Sequence, residues 1–283
     1  MSLLRIGGVP EHFNLPWHRL IEARAPERLG VEVLWRDYPE GSGAMAAALR
    51  AGQLDAAMLL TEGAVAGAAA GGFKIVSLYT ESPLIWGIHV PAASSIRTVD
   101  DVRGRRYAIS RRGSGSHLMS FVHARERGWP TEGLDFVVVG TLQGAIDAFA
   151  NGTADVFFWE KFMTKPLVDS GRFRRVAEFV APWPAFVVCA AGAALTRGSA
   201  LPTVLRGVFA AAAELAAGRD AATTIAARYG LEPDDVREWL HTTRWASRPG
   251  VDVEQVAPAV AQLGALGLIG AEVSAASLLA PLT

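Results

Sequence analysis

Short apolar runs alternate with helix-length amphipathic segments from the first residues to about position 190, and most of the junctions are rich in glycine and hydroxyl residues. That alternation restricts the chain to an α/β fold with a mainly parallel sheet, because parallel strands need crossover connections and helices supply them. Strands are predicted at 4–9, 31–38, 56–60 and 74–79, with helices near 15–25, 44–51 and from Glu62. A second cycle begins near Ile85. It runs through segment 85–90, a helical 98–104 with Thr98 as N-cap, strand 106–110 and the helix after it, strand 134–140, helix 142–150 and strand 155–159. Strands at 176–181 and 185–190 follow. From Leu201 the chain is alanine-rich, with helices predicted at 201–217, 219–229, 233–241 and 253–267.

Two cycles and a return predict two lobes. Residues 1–84 start lobe one, 85–185 form lobe two, and 186–283 return to lobe one with C-terminal helices packed on it. Crossings near Ser82–Gly87 and Pro184–Ala190 would act as a hinge. Ligands of such sheets bind outside the carboxyl ends of the strands.

The chain of 283 residues is 51% apolar and 19% charged, which suits a globular protein with a large core. A net charge of −1 offers no field to gather phosphates, so nucleic acid is excluded as a main partner. The single cysteine, Cys189, lies in an apolar run as a buried core residue and leaves no disulfide or CxxC metal site. No run reads as a membrane span, and no signal peptide is visible at the N-terminus. Location follows as periplasmic or cell-surface if a signal has been removed, and cytoplasmic otherwise.

The junction Arg111-Arg112-Gly113-Ser114-Gly115-Ser116-His117 carries the strongest chemical signal. A glycine-serine loop opening a helix presents unpaired N–H groups and a partial positive charge, which suit an anionic or acceptor group. Ser114, Gly115 and Ser116 are the first candidates, and Arg111 would add a charge-assisted contact or pair with Glu62 or Glu160. His117 reads as a surface residue of the first turn. Similar junctions place Ser42, Thr61 and Glu62, and Thr141 at strand ends, with Ser82 at the first crossing. Glu11 and His12 follow the first strand, where the pair would accept from a ligand amine and donate to a ligand oxygen, or merely cap a helix. Trp159-Glu160 offers a flat ring and a carboxylate, and Trp183 a second ring, for a heteroaromatic ligand. Trp86 and Trp183 lie at the crossings and either wall the cleft or pack the hinge. No HExxH, P-loop lysine or GxSxG elbow is present, so no catalytic residue, metal ligand or cofactor is assigned.

Taken in order, Pro10-Glu11-His12-Phe13, Gly41-Ser42-Gly43, Leu60-Thr61-Glu62-Gly63, Glu81-Ser82-Pro83-Leu84, Gly113-Ser114-Gly115-Ser116, Trp159-Glu160 and Pro182-Trp183-Pro184 resemble the type II periplasmic-binding-protein superfamily. The likeness is to aliphatic-sulfonate and thiamine-pyrimidine binding proteins of ABC importers and to fungal pyrimidine synthases of thiamine biosynthesis. It spans about residues 4–190. Ala51-Gly52-Gln53-Leu54-Asp55 and Asn151-Gly152-Thr153-Ala154-Asp155 repeat a phrase common in that superfamily, where it ends a helix and starts a strand. The resemblance implies a two-lobed solute-binding protein. It would capture a sulfonate, aminopyrimidine or aromatic acid for an ABC transporter permease. The alternative is an enzyme on the same fold. The cysteine-rich metal motif of the fungal synthases has no counterpart in a chain with one cysteine.

Overall fold

The computed structural model describes residues 2–196, 198 and 200–282. The described strands form one sheet: β1 (Ser2–Gly8), β2 (Val31–Asp37), β3 (Ala56–Leu60), β4 (Phe73–Pro91), β5 (Arg106–Ile109), β6 (Asp135–Val138), β7 (Val156–Glu160) and β8 (Phe173–Ala191). Their order is β2-β1-β3-β8-β4-β7-β5-β6. β1 pairs in parallel with β2 and β3, and β5 with β6 and β7, so each end of the sheet is a small parallel unit. Between them, β4 and β8 run antiparallel through both lobes for 19 residues each. The C-terminal half of β8 pairs with β3, and the C-terminal half of β4 pairs with β7.

The predicted breaks at 79/85 and 181/185 are therefore kinks within continuous strands. Pro83 lies opposite Pro184, with register shifts on both sides. Proline has no N–H to give the ladder, so the two prolines sit together where the ladder is already irregular.

The helices are α1 (Leu15–Glu22), α2 (Ala25–Arg28), α3 (Ser42–Arg50), α4 (Thr61–Ala69), α5 (Gly115–Glu126), α6 (Leu142–Ala150), α7 (Lys165–Asp169), α8 (Gly192–Leu195), α9 (Ala200–Ala217), α10 (Ala221–Tyr229), α11 (Pro233–Thr242), α12 (Val253–Ala265) and α13 (Ala275–Leu278). The helix expected at 98–104 is only a 3-10 turn, Asp100–Val102. Thr98 does not cap it. Its N–H and hydroxyl both donate to Asp101, at 2.9 and 3.1 Å, which closes a tight local loop instead.

The repeated Gly-x-x-Asp phrase has a physical basis. Asp55 accepts from the backbone N and Nε of Arg5 at 2.8 and 3.0 Å, and Arg5 Nη1 donates to the carbonyl of Gly52 at 2.6 Å. In the second lobe Asp155 accepts from the backbone N and Nε of Arg106 at 3.1 and 2.9 Å, and Arg106 Nη2 donates to Gly152 at 2.8 Å. Gly52 and Gly152 both take positive φ, +67° and +64°, which end α3 and α6 in left-handed turns. In each lobe an aspartate thus locks the start of the strand that follows a helix onto its parallel neighbour in the sheet, β3 onto β1 and β7 onto β5.

The C-terminal helices return to the first lobe as expected. Gly207 of α9 packs on Leu20 of α1. Arg244, just after α11, donates its N–H to Ser82 Oγ at 3.0 Å and so ties the tail to the β4 crossing. α9 is 18 residues long and is apolar enough, by length and composition, to cross a membrane. It nevertheless carries a buried stripe from Leu201 through Val204, Leu205, Val208 and Phe209 to Leu215, a face that this fold covers with protein.

Candidate functional site

A cleft of about 240 Å³ opens between the lobes at the carboxyl ends of β1, β3, β5 and β7. Three helices of at least two turns start on it: α3 with Gly41 and Ser42, α5 with Ser114, Gly115 and Ser116, and α6 with Thr141, Leu142 and Gln143. Each brings first-turn N–H groups that have no intrahelical acceptor.

The hydroxyls at these starts are all used as acceptors by the protein. Ser42 Oγ accepts from Leu60 N at 2.9 Å, Ser116 Oγ from Ser110 N at 3.2 Å and Ser114 Oγ from His117 N at 3.4 Å. Thr141 Oγ1 accepts from Gly144 N at 3.3 Å. Ser114 and Ser116 also share one hydrogen bond, 3.1 Å long. One proton of the Ser114–Ser116 pair is spent in that bond, while the other and those of Ser42 and Thr141 remain to be donated. That polarity favours a ligand rich in acceptors.

The cleft also carries carboxyl side chains, from Glu11, Glu40 and Glu160. Glu11 follows β1 and Glu160 ends β7, and both line the cavity. Burial pushes the Glu11 carboxyl up to about 7. Burial pushes Glu160 up to about 8, and the charge of Glu11 adds to the rise. Glu160 accepts from Met163 N at 2.7 Å, which fixes its side chain. Trp159 lines the cavity beside it. Leu84 and Trp86 of β4, Met163, and Phe186 of β8 complete an apolar wall.

Of the predicted site residues, Glu11, Ser42, Ser114, Gly115, Ser116, Thr141, Trp159 and Glu160 share this cleft. The others lie elsewhere. His12 is fully buried against Trp239 and Phe13, ring centroids 4.1 and 4.8 Å away, and burial lowers its pKa to about 3, so it is a neutral core residue. Thr61 donates to the carbonyl of Pro184 at 2.5 Å, which ties the start of α4 to β8. Ser82 is consumed by Arg244. Arg111 of the second lobe does not line the cavity or pair with Glu62 or Glu160. Its Nη1 donates to the carbonyl of Glu40 in the first lobe, and its guanidinium occupies the space a side chain at Gly43 would need. It therefore latches the lobes across the cleft mouth. His117, read as exposed, is buried, with Nδ1 accepting from Gly113 N at 3.1 Å.

Glu62 and Trp183 form a pair behind the wall. Trp183 Nε1 donates to Glu62 Oε2 at 2.9 Å, and both residues are nearly inaccessible. Glu62 Oε1 is buried without a partner, and burial raises the carboxyl to about 7. A Cβ on Gly115 would meet Leu60 Cδ1 at 2.6 Å, Trp86 Cη2 at 2.7 Å and Glu62 Oε1 at 3.2 Å. Gly115 is thus what lets the first turn of α5 close over this pair. Trp183→Phe removes the only side-chain donor to the buried Glu62 carboxyl among the described residues, so it is expected to cost about 1–3 kcal/mol of stability, measured by urea unfolding.

Leu84 and Phe186 were not singled out in the sequence, and of the two readings given for Trp86, cleft wall or hinge packing, it lines the cleft. Leu84 and Trp86 alternate along β4, so a period of two at the crossing was their sequence signal. Met163 had none.

A family model for Ca3427-like periplasmic binding proteins matches residues 86–179. The Candida albicans CA3427 gene product, which defines a family with the generic periplasmic-binding-protein fold, is similar over 100% of this chain and 98% of its own, with a TM-score of 0.91 and 23% identity. The chain has the type II periplasmic-binding-protein fold. The alkanesulfonate-binding protein SsuA of Xanthomonas axonopodis pv. citri, bound to MOPS, gives a TM-score of 0.83 at 23% identity over 99% of both chains. The periplasmic aliphatic sulphonate binding protein SsuA of Escherichia coli gives 0.75 at 21% identity over 100% of this chain and 93% of its own. No curated protein is significantly similar in sequence.

Proposed function

We propose that this chain is a solute-binding protein that holds one small organic ligand, by its anionic head, in the interlobe cleft. The carrying observation is the convergence of the α3, α5 and α6 N-termini on one cavity, each with a hydroxyl left to donate. No lysine, arginine or histidine lines that cavity among the described residues. Helix termini without a basic side chain suit a monoanion better than a phosphate dianion, whose second charge would be left uncompensated. A sulfonate offers three acceptor oxygens for one charge, and the similarity to sulfonate-binding proteins supports that class. Trp86, Trp159 and Phe186 would cover the organic part. Residues 1–84 with 186–283, and 85–185, would act as the two lobes, bending at Pro83 and Pro184. Delivery to the permease of an ABC importer is the corresponding biological role.

Native mass spectrometry of freshly purified protein, followed by titration calorimetry with propane-1-sulfonate, benzoate and inorganic phosphate, tests this reading. The expected result is one-to-one binding of an organic monoanion at least about tenfold tighter than phosphate. Preference for phosphate, or no binding of any monoanion, would overturn it. Release of a chemically altered ligand would move the protein to the enzyme alternative.

A further inference from the structure

The sheet ends on an open edge, and that edge is complementary to itself. β2 is the outermost strand on the side of the first lobe. It pairs with β1 over all 7 of its residues without a register shift, and it contains no proline, lysine or bulge to blunt its outer side. We propose that β2 pairs antiparallel with β2 of a second copy of this chain, about a two-fold axis at Leu34, to form a symmetric dimer with one sheet continuous through both copies. The dimer follows from the fold and does not depend on which ligand the cleft holds.

Three observations carry it. The first is the direction of the backbone groups. The carbonyl of Gly30 accepts from Ser2 N, and Tyr38 N donates to the carbonyl of Gly8, each at 2.9 Å, so the even-numbered residues of this strand face β1. Backbone groups alternate in direction along a strand, so those of Val31, Val33, Trp35 and Asp37 point outward as a row of donors and acceptors. The second is the charge order of the strand. In the register centred on Leu34, Glu32 stands opposite Arg36 of the second copy, twice over, and Leu34 meets its own counterpart. These are the non-hydrogen-bonded positions, where facing side chains come closest. A centre at Val33 sets Glu32 against Leu34 and Arg36 against Gly30, and a centre at Trp35 sets them against Tyr38 and Leu34, so either shift loses both charge pairs. Glu32 and Arg36 are exposed, and among the described residues neither has an ion-pair partner in its own chain. The third is apolar surface on the same face. Leu34 is 50% exposed, and Leu3, which points the same way from β1 in register with Glu32, is 41% exposed. The two-fold register lays Leu34 against its copy between the two charge pairs and removes it from water. Lobe two lies at the far end of the strand order, so the dimer leaves the hinge unobstructed, and the antiparallel strands point the two clefts in opposite directions.

Sedimentation velocity over about 5–300 μM protein tests it, because a strand-edge interface of this size implies a micromolar dimer. The wild type is expected to pass reversibly from monomer to dimer across that range. Glu32→Arg alone, or Arg36→Glu alone, opposes like charges in both pairs and is expected to weaken dimerisation at least about tenfold. Mixing the two single variants restores opposite charges at every pair, so the mixture is expected to form a heterodimer. The exchanged chain, with Glu32→Arg and Arg36→Glu together, is expected to form a homodimer again. Wild type that stays monomeric throughout, or single variants that dimerise as well as wild type, would overturn the proposal. Single variants that dissociate but recover neither on mixing nor on exchange would overturn it too, since the loss would then not come from this register. Both positions are exposed, and thermal unfolding of each variant confirms that it is folded.

Discussion

Gly144→Ala is expected to lose about 3 kcal/mol of stability and to weaken ligand binding at least tenfold. Gly144 is the third residue of α6, and a Cβ there would lie 1.8 Å from the carbonyl oxygen of Val139 and 2.9 Å from its carbon. Both are backbone atoms of the segment that follows β6, so no side-chain rotation relieves the clash. The start of α6 must move outward instead. That displacement breaks the bond from Gly144 N to Thr141 Oγ1 and carries Thr141, Leu142 and Gln143 away from the cleft they line. Thermal unfolding and calorimetry with the same ligand measure the two effects. Native stability together with native affinity would show that α6 is not held as described.

Glu160→Gln is expected to act in the opposite direction on stability, and only at high pH. The Glu160 carboxyl keeps its proton in the folded protein up to about 8. In the unfolded chain it ionises near the ordinary glutamate value. Between those two values the unfolded state has lost a proton that the native state retains, so native stability falls as pH rises and the loss is complete above about 8. Glutamine removes that dependence while its amide oxygen can still accept from Met163 N. The variant should match wild type near pH 4.5 and exceed it at pH 8.5 by up to about 5 kcal/mol, with a correspondingly higher unfolding midpoint. A parallel pH dependence of the two proteins would show that Glu160 is solvated. A variant that gains stability while losing ligand affinity would identify Glu160 as a group kept at a stability cost.

Much of the site was legible because it lies where chain order and backbone chemistry coincide. Ser114, Gly115 and Ser116 stand between an apolar run and a helix, and folds of this class bind ligands outside the carboxyl ends of their strands, although Thr61 and Glu62 at the α4 start turn away from the cleft. The same holds for Ser42 and Thr141. Glu11 and Glu160 follow strands directly, so their placement needed no further information. His12 is one residue beyond Glu11, and one position at the start of a 3-10 turn is enough to rotate a side chain from the cleft into the core beside Trp239. Glu62 and Trp183 carry groups suited to a ligand, but they satisfy each other behind Gly115. Arg111 carries the charge expected of an anion ligand, but it reaches the opposite lobe instead.

The amino-acid sequence alone determined the alternation of strands and helices, the two-lobed class, the glycine turns and the helix starts that present N–H groups. These are local properties, set by backbone conformation and by apolar spacing within a few residues. Tertiary structure alone decided that β4 and β8 run unbroken through both lobes and that Trp86 and Phe186 wall the cleft. It also decided that Glu11 and Glu160 line one cleft while Glu62 pairs with Trp183 behind it, because burial and pairing depend on residues far apart in the chain.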